Sequence, residues 1–166
     1  MTANERILVV DDEEQMRDLL AKVLERKRYQ VSVCGDGAEA LAFLEREPVD
    51  LVITDVRMPG LNGMEALRAI KELNPEIVVL IMTAFGSIDQ AVQAVKEGAY
   101  DYINKPFKID EILLTIEKAL AERRLRHEVT TLRQELRTRY HFENLSGKSR
   151  AMQEVFGLIE QVAGSR

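Results

Sequence analysis

Five residues set the chemical question. Asp11, Asp12 and Asp55 carry carboxylates, Thr83 a hydroxyl and Lys105 an ammonium, and each follows or ends a short apolar run. Three carboxylates held close together repel one another and invite a divalent cation. Carboxylate oxygens, water and a phosphate suit Mg²⁺ better than zinc, which prefers His or Cys. The two histidines, His127 and His141, lie far down the chain. One carboxylate in such a cluster can attack a phosphoryl donor and form an acyl phosphate. A cation and a Lys then neutralise the phosphoryl oxygens, and a hydroxyl or backbone amide hydrogen-bonds to them. Any one of these residues alone reads as a helix cap or a loop charge. Their joint occurrence is what asks for a common site.

A common site requires elements that bring the five together. Short runs rich in Val and Ile recur at Ile7-Leu8-Val9-Val10, Val31-Ser32-Val33-Cys34, Leu51-Val52-Ile53-Thr54, Val78-Val79-Leu80-Ile81-Met82 and Tyr102-Ile103-Asn104. Near-continuous apolarity predicts strands covered on both faces, as in a parallel sheet. Helical patterns lie between them. The first places Met16, Leu19, Leu20, Val23 and Leu24 on one side. The second opens at Asp36 with Glu39 three residues on, and the third near Asn62 with Glu65, both at capping-box spacing. The third turns Leu67, Ile70 and Leu73 inward and stops at Asn74-Pro75. Ser87 and Gln90 open the fourth, which ends at Gly98, and the fifth presents Ile109, Ile112, Leu113, Ile116 and Leu120.

Five strand-helix units predict an α/β fold, a doubly wound parallel sheet of order 2-1-3-4-5. Ligands of such folds bind beyond the carboxyl ends of the strands, where the strand order reverses. Asp11 and Asp12 follow the first strand, Asp55 the third, Thr83 and Ala84 the fourth, and Lys105 the fifth. Asp55, on the central strand, is the candidate nucleophile. Asp11 and Asp12 would hold the metal, Lys105 would pair with the phosphoryl group and Thr83 would hydrogen-bond to it.

These segments carry a resemblance. Ile7 to Asp12 with Glu13, Asp55-Val56-Arg57-Met58-Pro59-Gly60 with Asn62-Gly63-Met64, Met82-Thr83-Ala84 and Lys105-Pro106-Phe107 resemble the receiver domain of two-component response regulators. The resemblance covers residues from about 5 to about 121, by the reading of short motifs as hypotheses set by context. It implies that a sensor histidine kinase phosphorylates Asp55. It implies Mg²⁺ on Asp11, Asp12, Asp55 and the backbone carbonyl of Arg57, and a cis Lys105-Pro106 peptide. It also implies that Thr83 and Ala84 contact the phosphoryl group, and that Tyr102 rotates inward when Thr83 is drawn to it. The last third, from Phe142 to Phe156, resembles the start of the AAA+ ATPase domain of sigma-54-dependent transcription activators, the nitrogen-regulatory-protein-C class. The implied layout is a receiver at 1–121, a helical linker at 122–141 and an ATPase fragment at 142–166. The longer parent would work with sigma-54 RNA polymerase, ATP and DNA.

Gly147-Lys148-Ser149 mimics the end of a P-loop, but the motif needs a Gly at position 142, which is Phe. A loop with a helix cap is expected there, so this stretch is not expected to bind or hydrolyse ATP. No Gly or Pro occurs between Pro106 and Gly147. Leu125, Val129, Leu132 and Leu136 follow heptad spacing, read as a dimerising coiled coil in preference to an amphipathic helix packed on its own domain, with receiver contacts adding to the homodimer.

Composition narrows the classes. The chain has 166 residues, 46% hydrophobic and 31% charged, with net charge −5. Residues 1–116 hold 13 Lys/Arg against 21 Asp/Glu, a poor surface for a phosphate backbone, and residues 117–143 hold 7 against 5. Nucleic-acid binding by this stretch is not expected. Cys34 is the sole cysteine, and neither a signal peptide nor a membrane span is legible. A cytoplasmic location is expected. Two rivals remain. A haloacid-dehalogenase-type phosphatase needs a second Asp two residues after the nucleophile, where Arg57 stands. A pseudo-receiver, acting only as an interaction domain, would have lost an acidic or Lys position.

Overall fold

The computed structural model describes residues 4–163. The chain divides into two compact units, Met1–Arg123 and Arg124–Arg166. Ten elements alternate: β1 (Arg6–Val10), α1 (Glu14–Arg26), β2 (Gln30–Cys34), α2 (Gly37–Arg46), β3 (Leu51–Asp55), α3 (Gly63–Leu73), β4 (Val78–Thr83), α4 (Ile88–Lys96), β5 (Asp101–Asn104) and α5 (Ile109–Ala163). The strands form one sheet of order β2-β1-β3-β4-β5, with every pairing parallel.

Alternation along the buried strands feeds two cores. Leu8, Val10, Val52, Val79 and Ile81 pack with Leu67 and Ile70 of α3 and Ala94 of α4. Ile7, Val9, Leu51, Ile53, Leu80 and Met82 pack with Leu20 and Leu24 of α1 and Ile112, Ile116 and Leu120 of α5. Strand β3 is buried along its whole length. Each fully buried Leu or Ile contributes about 2 kcal/mol by leaving water. Two expected core residues differ. Leu19 and Leu73 are 45% and 46% exposed, because Leu19 lies beside the buried stripe of Leu20 and Leu24 and Leu73 is the last residue of α3.

Side-chain caps set the helix starts. Asp36 accepts from the Glu39 amide, Ser87 accepts from Gln90, and Asn62 with Glu65 closes a reciprocal capping box. Gly98, with φ +105°, follows the end of α4.

The loop expected at Gly147–Ser149 is replaced by helix, since α5 runs through those positions to Ala163. No proline follows Pro106, and one glycine costs a helix only about 1 kcal/mol, too little to end it. Side chains of residues 141–149 and the structure of residues 164–166 lie outside the described residues, and with them much of the stretch read as an ATPase fragment. No helix of the described residues is long and apolar enough to cross a membrane.

Candidate functional site

Sheet register builds the site. Val10 pairs with Thr54, so Asp11 and Asp55, the next residues, leave adjacent strands side by side. Asp55 pairs with Met82 and Thr83 pairs with Asn104, which sets Thr83 and Lys105 just beyond the same line. Main-chain bonds hold those strand ends: Val56 N donates to Met82 O at 3.0 Å and Lys105 N to Thr83 O at 2.7 Å. The Lys105-Pro106 peptide is cis.

Lys105 Nζ is the hub. It lies 2.9 Å from Asp11 Oδ2 and 3.2 Å from Asp55 Oδ2. Asp11 is fully buried and Asp55 is 6% exposed. Asp11 Oδ1 also accepts from the Glu13 amide at 2.9 Å, and Asp55 Oδ1 accepts from the Arg57 amide at 3.3 Å. Burial alone would pull the Lys105 ammonium down. The hydrogen bond and charge of Asp11 and the charge of Asp55 outweigh that, so its pKa stands above the usual lysine value. A buried ammonium shared by two carboxylates offsets part of their repulsion.

Asp12 stands exposed beside this pair. One oxygen from each of Asp11, Asp12 and Asp55 lies within 4.8 Å of the others. An all-oxygen, all-anionic donor set fits a hard cation.

Thr83 is buried, and its Oγ1 accepts from the Phe85 amide at 3.3 Å. Ala84 is exposed in the same loop. Tyr102 is half-buried, and its hydroxyl donates to Gln90 Oε1 of α4 at 3.3 Å. Leu125, Val129, Leu132 and Leu136 belong to the second unit and are all exposed.

Several supporting residues act through contacts that only the fold makes. A Cβ on Gly63 would run into the Asp55 carbonyl oxygen, so α3 begins with glycine to let its first turn touch the acceptor strand. A Cβ on Gly86 would strike Asn104, Tyr102 and Thr83 side chains at 2.5–2.9 Å. The Arg57 guanidinium stacks on the Phe85 ring at 4.7 Å, joining the loops after β3 and β4. Glycines beside the site residues were a visible signal for the first two. Arg57 and Phe85 each flank the site in the sequence, but that they stack depends on loop conformation.

A family model for the response regulator receiver domain matches residues 7–117. Transcriptional regulatory protein ZraR of Klebsiella oxytoca is 44% identical over 119 residues, covering 72% of this chain and 27% of that protein. The DNA-binding transcriptional regulator NtrC of Escherichia coli (strain K12) is 33% identical over 159 residues, 96% of this chain and 33% of the relative. The chain thus spans a third or less of the length of these relatives. Among solved structures, the beryllofluoride-activated NtrC4 receiver domain dimer aligns with TM-score 0.69 at 38% identity, over 71% of this chain and 98% of that one. With the family model matching more than half of its length, the chain belongs to the response regulator receiver domain family.

Proposed function

We propose that this chain is a phosphorylation-controlled switch, not a catalyst, and that Asp55 accepts a phosphoryl group from a sensor histidine kinase. The observation that carries the reading is one ammonium, Lys105, bonded to two buried carboxylates on separate strands. In the transfer, an Asp55 carboxylate oxygen bonds to phosphorus while the phosphohistidine N–P bond breaks. The imidazole leaves with the electron pair and takes up a proton. Asp11, Asp12, Asp55 and the Arg57 carbonyl would hold Mg²⁺, which would supply the positive charge that lets an anionic acceptor meet an anionic donor. Lys105 exchanges its bond to Asp55 for one to the phosphoryl oxygens. Thr83 and the loop at Ala84 hydrogen-bond to the same group. Gly86 leaves room beside Thr83 for Tyr102 to move inward, releasing Gln90 of α4.

The readout is assembly. The seam Leu125, Val129, Leu132 and Leu136 is exposed by 46–61%, which supports a linker pairing with a second copy. Two heptads alone give marginal pairing, so contacts between receivers must add to it. The relatives named as transcriptional regulators support a parent of the sigma-54-dependent activator class. There, a receiver at 1–121 and linker at 122–141 govern an ATPase beginning at 142–166, working with sigma-54 RNA polymerase, ATP and DNA in the cytoplasm. A pseudo-receiver is disfavoured because every acidic and Lys position is kept.

Incubation with acetyl phosphate and Mg²⁺, followed by intact mass and light scattering, tests the reading. Wild type should gain one phosphoryl group and change molar mass, and Asp55→Asn should do neither. An unlabelled wild type would sink it.

A further inference from the structure

We infer that Arg123 is a positioning residue that pins the last receiver turn of α5, and thereby sets how strongly phosphorylation changes linker pairing. The inference rests on the dimer reading above.

Arg123 Nη1 lies 2.8 Å from Asp50 Oδ1, and its Nε donates to the Glu76 carbonyl at 3.1 Å. One planar guanidinium thus ties α5 to the lead-in of β3 and to the turn between α3 and β4. An ammonium cannot make that pair of bonds in the same fixed geometry. Asp50 is itself immobilised from three sides. Its Oδ2 accepts from the Arg6 amide at 2.8 Å, its own amide donates to Arg6 O at 2.8 Å, and its carbonyl accepts from Val78 N at 3.1 Å. The carboxylate that receives Arg123 is therefore part of the sheet frame and not a loose surface charge. It also sits at the start of the strand whose far end carries Asp55.

The place of Arg123 in the helix gives the pin its consequence. Among the described residues, Leu120, 1% exposed, is the last buried apolar residue of α5, and Arg123 is one turn on. Arg123 closes the first unit, and every residue from Arg124 to Tyr140 is exposed. No buried apolar side chain takes over between Arg124 and Tyr140. The final receiver turn, part of a helix that continues to Ala163, is tied to the rest of the receiver by polar bonds, and a turn held in this way frays from the receiver when they are removed. A frayed turn cannot pass a change in receiver packing to the seam that starts at Leu125.

The test compares the whole chain with Arg123→Gln and Arg123→Lys. Sedimentation with and without beryllofluoride measures self-association, and hydrogen exchange follows amides 117–123. The expected result for Arg123→Gln is unchanged labelling of Asp55, and exchange at those amides faster by about tenfold. The beryllofluoride-driven gain in self-association should fall by about fivefold, with Arg123→Lys in between. Arg123→Gln that exchanges and self-associates like wild type overturns the inference. So does faster exchange with an unchanged beryllofluoride response, since that leaves Arg123 a purely structural role. A wild type that labels but never self-associates instead overturns the dimer reading, and the inference with it.

Discussion

The guanidinium carbon of Arg57 lies 4.7 Å from the centroid of the Phe85 ring, so a cation–π contact spans the loops that follow β3 and β4. Arg57 stands two residues beyond Asp55, and Phe85 two beyond Thr83. The contact is exposed and contributes about 0.5–1 kcal/mol. Its greater effect is on approach to the acceptor. Phe85→Ala and Arg57→Ala should each speed loss of the phosphoryl group from Asp55 by a few-fold while lowering stability by less than about 1 kcal/mol. A mass-spectrometric time course after removing acetyl phosphate measures this. Identical decay in wild type and both variants would rule the stack out as a gate.

Lys105→Met leaves Asp11 and Asp55 buried without their shared cation. In a chelator the variant should lose about 3 kcal/mol, and Mg²⁺ should restore more stability to it than to wild type. Urea unfolding with EDTA or Mg²⁺ makes the comparison. The pH dependence has a definite sign. The folded pKa of Lys105 stands above its ordinary value of 10.5, so the contribution is complete below that value and is lost as pH rises through the folded pKa. Wild type should show this alkaline loss and Lys105→Met should not.

Two glycines near the acceptor should behave in opposite ways. Gly63→Ala places a methyl against the Asp55 carbonyl and the Val56 backbone, which cannot move without shifting the acceptor. A cost of about 3 kcal/mol or more is expected, with weakened labelling in the fraction that folds. Gly60 has φ +76° but open space around its Cβ position. Gly60→Ala should cost about 1 kcal/mol of backbone strain and leave labelling intact. Equal labelling defects in both would mean that loop flexibility, not the close approach at Gly63, governs the site.

Cys34 is 3% exposed. Burial first, then the charges of Glu39 and Asp36, push its thiol from 9.0 up to about 11, against a smaller opposing pull from Arg17. The folded chain therefore keeps its proton longer than the unfolded chain. Stability is complete below pH 9 and declines between pH 9 and about 11, by about 2–3 kcal/mol for that shift. Cys34→Ala should lack this decline in urea melts. Parallel curves for the two proteins across that window would refute the assignment.

Sequence alone determined the sheet and its order. Buried parallel strands need continuous Val/Ile runs, and right-handed crossovers leave few ways to arrange five of them. The capping residues Asp36, Asn62 and Ser87 were legible because a cap is a local bond between residues three apart. So was the gathering of Asp11, Asp55, Thr83 and Lys105, since strand ends in this topology share one rim. Tertiary structure decided what depends on register and on loop path. Lys105 bridging Asp11 and Asp55 needs two strand pairings to agree to the residue. Leu19 and Leu73 fit the helical period yet face water, because periodicity does not say where the buried stripe ends. Arg123 reads as one more charge in a mixed run. Only the fold brings it to Asp50, 73 positions earlier in the chain, because the receiver part of α5 packs on the sheet and its last turn reaches the residue that leads into β3.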